Sequence, residues 1–348
     1  MDVYVYNTSF ELIGIIDNFS SVIVTSRYYE AGDFEIYLKA SSKNLELLQP
    51  DHYIKYNDFV GIIETINITT DLEQGNYLTA GGRDLKSILD RRIVWQQTNL
   101  YTTAEAGIRS LINDNVISPA ISDRAIKNFI LSDAKGYTDP INLQVTGDTL
   151  YETIINICKA YNYGWQITLN DSNQFVFELY KGTDRSYGQS SNNYVVFSPE
   201  FENISSTNYT KDKQGLRNVA LIAGEGEGLD RITQTTGSAS GLNRRELYVD
   251  ARDISQNKGN DGEITDADYK KLLLERGGEQ LAERMATESF EGDVNTNYVY
   301  NLNDDYYLGD IVTAVNEYGI AADTRIIEII QNESNTGYSV IPTFEAWS

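Results

Sequence analysis

Over residues 1–80, apolar and polar positions alternate in short runs. Phe34, Ile36 and Leu38 alternate with Glu35, Tyr37 and Lys39, the period of a strand with one face in a core and the other in water. Val3–Tyr6, Leu12–Ile16 and Ser21–Thr25 are further β-rich runs, separated by Asn, Asp and Ser clusters. Only Asn57-Asp58 stands between the apolar runs 52–56 and 59–63, and both residue types tolerate left-handed backbone, so a tight hairpin is predicted. Many short strands at this spacing point to a barrel or sandwich.

The period changes across Gly81 to Trp95. The glycine pair Gly81-Gly82 permits a positive-φ turn, Leu85, Ile88 and Leu89 recur at helical spacing, and Ile93, Val94 and Trp95 read as a buried strand. Helical stripes follow. Ile108, Leu111, Ile112 and Val116 form one, capped by Thr102 or Thr103. Leu150, Ile154, Ile157, Cys158 and Tyr161 form another, opened by Thr149 with Glu152 three residues on. That helix leads into a predicted hairpin of Trp165, Ile167 and Leu169 against Phe175, Phe177 and Leu179, so residues 96–198 read as a separate α/β unit.

Strands resume at Val195–Phe197, Val219–Ile222 and Glu246–Val249, and again at Tyr298–Tyr300, Asp310–Val315 and Arg325–Ile330. Between these groups a helix is expected, capped by Thr265 with Asp268, running toward Phe290 and kinked or divided at Gly277-Gly278. The strand-rich ends of the chain could be two copies of one barrel.

Charge narrows the function classes. Lys and Arg total 28 against 51 Asp and Glu, a net charge of -23, which repels nucleic acid and anionic membranes unless segregated. The 25 tyrosines against 5 prolines fit a strand-rich fold with semi-polar interfaces. With one cysteine, Cys158, neither an internal disulfide nor a thiolate zinc cluster can form, and its place on an apolar helix face makes it a core residue. No run is long enough for a transmembrane helix and the amino terminus has no signal-peptide pattern, so a soluble cytoplasmic product without a membrane anchor is expected.

Candidate chemistry is sparse. The single histidine, His52, excludes a multi-histidine metal site and is read as structural. Gly224-Glu225-Gly226-Glu227-Gly228 has neither dinucleotide nor Walker spacing and reads as a turn. Asn257 to Asp268 faintly resembles a calcium loop, but Gly259 stands at a ligand position and Asp268 at that of the bidentate Glu, which favours a plain loop before a capped helix. Arg83, Arg91 and Arg92 could hold an anion, though ion pairs are their ordinary use in an acidic chain. No catalytic, cofactor-binding or metal-binding residue is assigned, no cofactor is expected, and the chain is not read as an enzyme.

Four segments in order resemble one family: Arg27-Tyr28-Tyr29-Glu30-Ala31-Gly32-Asp33-Phe34-Glu35-Ile36, Gly61-Ile62-Ile63-Glu64, Gly82-Arg83-Asp84-Leu85 through Arg91-Arg92-Ile93-Val94, and Leu308-Gly309-Asp310-Ile311-Val312. The set is similar to the siphovirus-type tail-tip, or baseplate hub, proteins of long-tailed bacteriophages, which include the amino-terminal hub region of tail-associated lysins and prophage tail endopeptidases. The resemblance implies an α+β, mainly β chain: an antiparallel β-barrel tube domain over 1–95, a peripheral α/β domain over 96–198, and a second barrel over 199–348 with a helical insertion at about 261–291. It further implies a homotrimeric ring at the virion tail tip that adapts a sixfold tail to a threefold tip. The partners implied are distal tail and tail tube proteins above, spike or fibre proteins below, the tape measure protein, and phage DNA that passes through without specific binding. Because the last strand-rich block runs to Trp347-Ser348, a hub without its own lytic domain is expected. The rival reading is a carbohydrate-active or receptor-binding tail protein.

Overall fold

The structure, a computed structural model, describes residues 2–71, 73, 75–256, 264–294 and 300–347. The first strand block contains β1 (Val3–Tyr6), β2 (Leu12–Ile16), β3 (Ser21–Arg27), β4 (Asp33–Lys39), the short helix α1 (Ser42–Leu47), β5 (Tyr53–Tyr56), β6 (Phe59–Asp71) and β7 (Gly75–Asp84). The alternation in β4 is as expected: Phe34, Ile36 and Leu38 are buried with Val3, Val22, Val24, Ile54, Ile63 and Leu78 in one core. The 53–62 hairpin forms with Tyr56 opposite Phe59 and Asn57 at φ 51°.

Gly81 and Gly82 do not make a turn. They lie inside β7, where the pairing with β6 slips between Ile63 and Thr65, and a Cβ on Gly82 would sit 1.9 Å from the Ile62 carbonyl oxygen. Close backbone approach at a bulge, rather than positive φ, is what requires glycine here. The helical spacing after it becomes a 3-10 helix, Leu85–Arg91, capped by the Asp84 carboxylate. Ile93–Trp95 is not a buried strand either: Val94 is buried, but Ile93 makes only an isolated bridge to Thr149 and Trp95 is half exposed under the Arg124 guanidinium.

The inserted α/β unit comprises β8 (Thr98–Thr103), α2 (Ala104–Ile112), β9 (Phe129–Leu131), β10 (Pro140–Val145), α3 (Leu150–Tyr161), β11 (Gly164–Leu169) and β12 (Phe175–Tyr180). Both expected caps are present, Thr103 accepting from the Ala106 amide and Thr149 from the Glu152 amide, and Asn162 ends α3 in the left-handed conformation. Cys158 is fully buried in the core shared by α2, α3 and the β11–β12 hairpin. Leu85, Ile88 and Leu89 of the 3-10 helix belong to this same core, so the first block is riveted to the unit by its last turn.

The remaining strands are β13 (Val196–Phe197), β14 (Ile204–Asp212), β15 (Val219–Ala223), β16 (Thr233–Gly237) and β17 (Glu246–Asp250), then α4 (Asp266–Ala282), β18 (Thr287–Val294), β19 (Ile311–Val315), β20 (Ala321–Ser334) and β21 (Gly337–Ala346). Helix α4 starts at the Thr265 cap as expected but is not divided at Gly277-Gly278, and it stops before Phe290, which lies in β18. A Cβ on Gly277 would meet the Ile222 side chain at 2.5 Å, so this glycine lets α4 lie close on β15. Together α4 and the β16-β15-β17 sheet bury a small core of their own. The expected strand at Tyr298–Tyr300 falls largely outside the described residues, as does most of the calcium-like loop.

The fold is α+β and mainly β. One sheet runs β14-β18-β21-β20-β3-β4-β7-β6-β5-β1-β2, with β19 branching from β20 and β13 paired to β19. Its middle is the antiparallel pairing of β3 with β20, Arg27 opposite Glu328 and Ser21 opposite Ser334, which joins the first strand block to the last. Each block nevertheless keeps its own core, the second built from Val195, Phe197, Phe290, Tyr306, Val312, Ile326 and Phe344.

Candidate functional site: a buried polar junction

The segments that carried the family resemblance meet in space. Arg27 to Gly32 leaves β3 and turns into β4 beneath the inserted unit; Asp84 and Lys86 open the 3-10 helix beside it; Gly309 and Asp310 enter β19 from the second block. Around them lies a cleft of about 720 Å³ lined by all three regions, among them Arg27, Asp84, Lys86, Trp165, Arg185 and Asp310.

Arg27 forms an ion pair with Asp33 at 2.6 Å and, across the β3–β20 seam, with Glu328 at 2.6 Å. The Asp84 carboxylate accepts from the Gly32 amide at 2.8 Å and the Lys86 amide at 2.9 Å, fixing the turn and capping the helix together. The buried Lys86 ammonium donates to the Arg27 and Glu30 carbonyls at 2.5 and 2.9 Å and lies 5.2 Å from the Trp165 ring. Burial pushes the Lys86 ammonium below its ordinary pKa, with Asp84 opposing, and pushes the Asp84 carboxyl above its own, with Lys86 opposing. Trp165 donates from Nε1 to the Tyr29 carbonyl at 2.6 Å, and the Tyr151 hydroxyl accepts from the Ala31 amide at 2.8 Å.

Tyr28 is the centre of the junction and is fully buried. Its hydroxyl donates to the Asn162 carbonyl at 3.1 Å and accepts from Arg325 Nη1 at 3.1 Å, and Arg325 also donates to the Gly309 carbonyl at 2.7 Å. The Arg325 guanidinium is sandwiched between the rings of Tyr28 and Trp347, at 4.9 and 4.2 Å. Burial pushes the Tyr28 phenol up to about 12, so it stays a neutral donor at any physiological pH. Asp310, itself buried, accepts from the Thr183 amide at 2.7 Å, Arg185 Nε at 2.8 Å and the Tyr307 amide at 3.0 Å. Two glycines let the chains touch: a Cβ on Gly182 would stand 1.7 Å from the Gly309 carbonyl oxygen, and one on Gly164 would enter the Tyr28 ring.

Chemically this is a latch. Its cations meet carboxylates, carbonyls and rings, and its carboxylates meet amides and cations. Elsewhere, His52 Nδ1 bonds the Leu47 carbonyl at 2.8 Å, a turn-bracing contact. Arg83 pairs with Glu64 and Asp90 and Arg91 with Asp51, the ordinary use of arginines in an acidic chain, whereas Arg92 donates to the Arg124 and Arg91 carbonyls instead. Gly226 and Gly228 have positive φ in the turn after β15. Among the described residues no group of three or more His, Cys, Asp or Glu side chains is placed to hold a metal ion, and no helix is long and apolar enough to cross a membrane. Tyr28 and Arg325 were missed by sequence reasoning as a pair, because 297 positions separate them and neither is unusual alone.

Solved structures share this architecture along its whole length. The tail protein from Neisseria meningitidis MC58 aligns with TM-score 0.60 at 14% identity, covering 99% of this chain and 95% of that one. The 43 kDa tail protein of prophage MuSo2 from Shewanella oneidensis aligns with TM-score 0.56 at 14% identity, covering 99% and 98%. Prophage tail protein gp18 from Listeria monocytogenes EGD-e aligns with TM-score 0.53 at 14% identity, covering 99% and 94%. No curated protein matches the chain in sequence. The fold is thus one found in phage and prophage tail proteins. The chain itself belongs to the siphovirus tail-protein family described as Siphovirus ReqiPepy6 Gp37-like protein, which it matches over residues 2–344.

Proposed function

We propose that the protein is a non-enzymatic structural hub of the tail tip or baseplate. Three copies form a ring in which each contributes two barrel-like tube domains, built on residues 1–95 and 199–348, with the α/β domain of residues 96–198 at the periphery. Such a ring presents six similar units to the tail tube above and three to the tip, spike or fibre proteins below, with the tape measure protein and then DNA passing through it. The observation that carries this reading is the pair of strand blocks, each with its own core, hydrogen-bonded edge to edge through β3 and β20. A latch in which Arg27, Arg185 and Asp310 are ion-paired and Arg325 is held by the Gly309 carbonyl and two rings suits a part that must stay rigid.

The acidity has a use in this reading. No lysine or arginine lies between Lys55 and Arg83, the stretch that includes the long β6–β7 hairpin, whereas Asp58, Glu64, Asp71 and Glu73 do. A lumen lined by such strands conducts DNA without the cationic contacts that would hold phosphates. Native mass measurement tests the assembly: the account expects a species of three chains, and a chain that stays single at all concentrations contradicts it. Duplex DNA should not bind at physiological salt, and tight binding would remove the conduit role. Turnover or binding of a cell-wall saccharide by the pure protein would favour the carbohydrate-active or receptor-binding alternative.

A further inference from the structure

The two strand blocks repeat one connectivity in detail. Along the sheet, β6-β7-β4-β3 is followed by β20-β21-β18-β14, so β3, β4, β6 and β7 correspond in chain order to β14, β18, β20 and β21, and β5 beside β6 corresponds to β19 beside β20. The landmarks coincide. Pairing slips between Ile63 and Thr65 in β6 and between Ile326 and Glu328 in β20. Ile63 is bonded through its backbone to Asp51 and His52, and Ile326 likewise to Gly309 and Asp310, with Asp51 and Gly309 both at positive φ, 67° and 94°. Phe34 pairs with Gly82 and Leu38 with Leu78, as Phe290 pairs with Phe344 and Val294 with Val340. These correspondences lay Glu328–Ser334 over residues 65–71, and Ser21–Arg27 over residues 206–212.

Within the chain, Glu328–Ser334 of β20 pairs with Arg27–Ser21 of β3. The equivalent stretch of β6 has β7 on one flank and, beyond Ile63, no strand on the other among the described residues, while β14 ends the sheet at its far side. Ile68, in the middle of the open β6 edge, is 50% exposed. An edge carrying exposed apolar side chains is a template for another strand. All pairings on the path from β14 to β6 are antiparallel, and there are seven of them, so the two edges run in opposite directions.

We propose that residues 65–71 of one copy pair antiparallel with residues 206–212 of the next, with Thr65 opposite Asp212, Asn67 opposite Thr210, Ile68 opposite Tyr209 and Asp71 opposite Ser206. This seam between copies repeats the β20–β3 seam within each copy. The contact uses a different edge on each partner, so it is head-to-tail and continues until the rotation closes a ring. The inference rests on the hub reading and adds to it the edges that meet and their register.

Cysteine pairs test the register: Asn67→Cys with Thr210→Cys, Ile68→Cys with Tyr209→Cys, and Thr69→Cys with Asn208→Cys, each in the full chain, where Cys158 is buried. Consecutive pairs sample both the wide and the narrow sites of an antiparallel ladder, and only a close, correctly directed pair oxidises readily. Mild oxidation should give covalent two- and three-chain bands from at least one in-register pair. The out-of-register pair Asn67→Cys with Tyr209→Cys places its side chains on opposite faces and should give none. A three-chain ring by native mass measurement with no link from any in-register pair overturns the seam and leaves the hub standing. A protein that never leaves the single-chain state overturns both.

Discussion

The inserted α/β unit is held on two sides, and the two contacts are built on different electrostatic plans. At the junction with the strand blocks, Arg27, Lys86, Arg185 and Arg325 each meet carboxylates, carbonyls or rings at close range. At the contact with α4, acids crowd together. Arg276 is drawn to Asp253 at 2.9 Å and stands 3.9 Å from Glu279. Burial pushes the Glu279 carboxyl up to about 7, with Glu275, Glu283 and Asp148 adding to the rise and Arg276 opposing it. Glu275 and Glu279 in turn help burial raise the Tyr161 phenol on α3 to about 12. At the first contact cations and carboxylates are matched, whereas at the second burial and neighbouring acids push one carboxyl, Glu279, toward its neutral form.

Substitutions at the joint should therefore have the large effects. Trp165→Ala removes a fully buried ring that also donates to Tyr29, and should lower unfolding free energy by about 4 kcal/mol in a denaturant titration. Gly182→Ala forces the backbone away from Gly309, and a loss of about 3 kcal/mol is expected; a neutral result would show that the joint is looser than described. Tyr28→Phe keeps the ring under Arg325 and deletes only the hydroxyl, for about 1.5 kcal/mol by the same titration. Cys158→Ala leaves a small cavity, costing about 1 kcal/mol with assembly intact, since burial holds this thiol protonated and unreactive.

The effect on the α4 side appears only as a slope. A carboxyl raised from 4.5 to about 7 binds its proton in the native state before the unfolded chain does. Its contribution is fully present below pH 4.5 and is lost as pH rises through 7. Thermal midpoints of Glu279→Gln, compared with the parent between those limits, should lack that part of the decline. Parallel curves would mean that Glu279 titrates normally and that the contact is no different from the joint.

Local patterns were legible in the sequence wherever neighbours in the chain decide the structure. The Thr149 cap, the face of α3 with Cys158, the alternation of β4 and the Asn57 turn all follow from short-range chemistry. What the sequence hid was set by distant partners. Gly82 reads as a turn residue until the Ile62 carbonyl is seen against it, and Gly277 as a helix breaker until Ile222 is. The seam between β3 and β20 joins Arg27 to Glu328 across 301 positions, and no local period announces it. The latch was half legible: its segments carried the family resemblance, but their convergence on Tyr28 and Arg325 is a property of the fold. The repeat of strand order left only isolated echoes, such as Phe34 and Phe290.

An electron cryo-microscopy map of the assembled protein tests the central claim most directly. The account predicts a ring of three chains in which six strand blocks surround an acidic channel and the α/β units stand outside, their Tyr28–Arg325 latches intact. A particle with another number of chains, or one whose channel is lined by the α/β units, would contradict it.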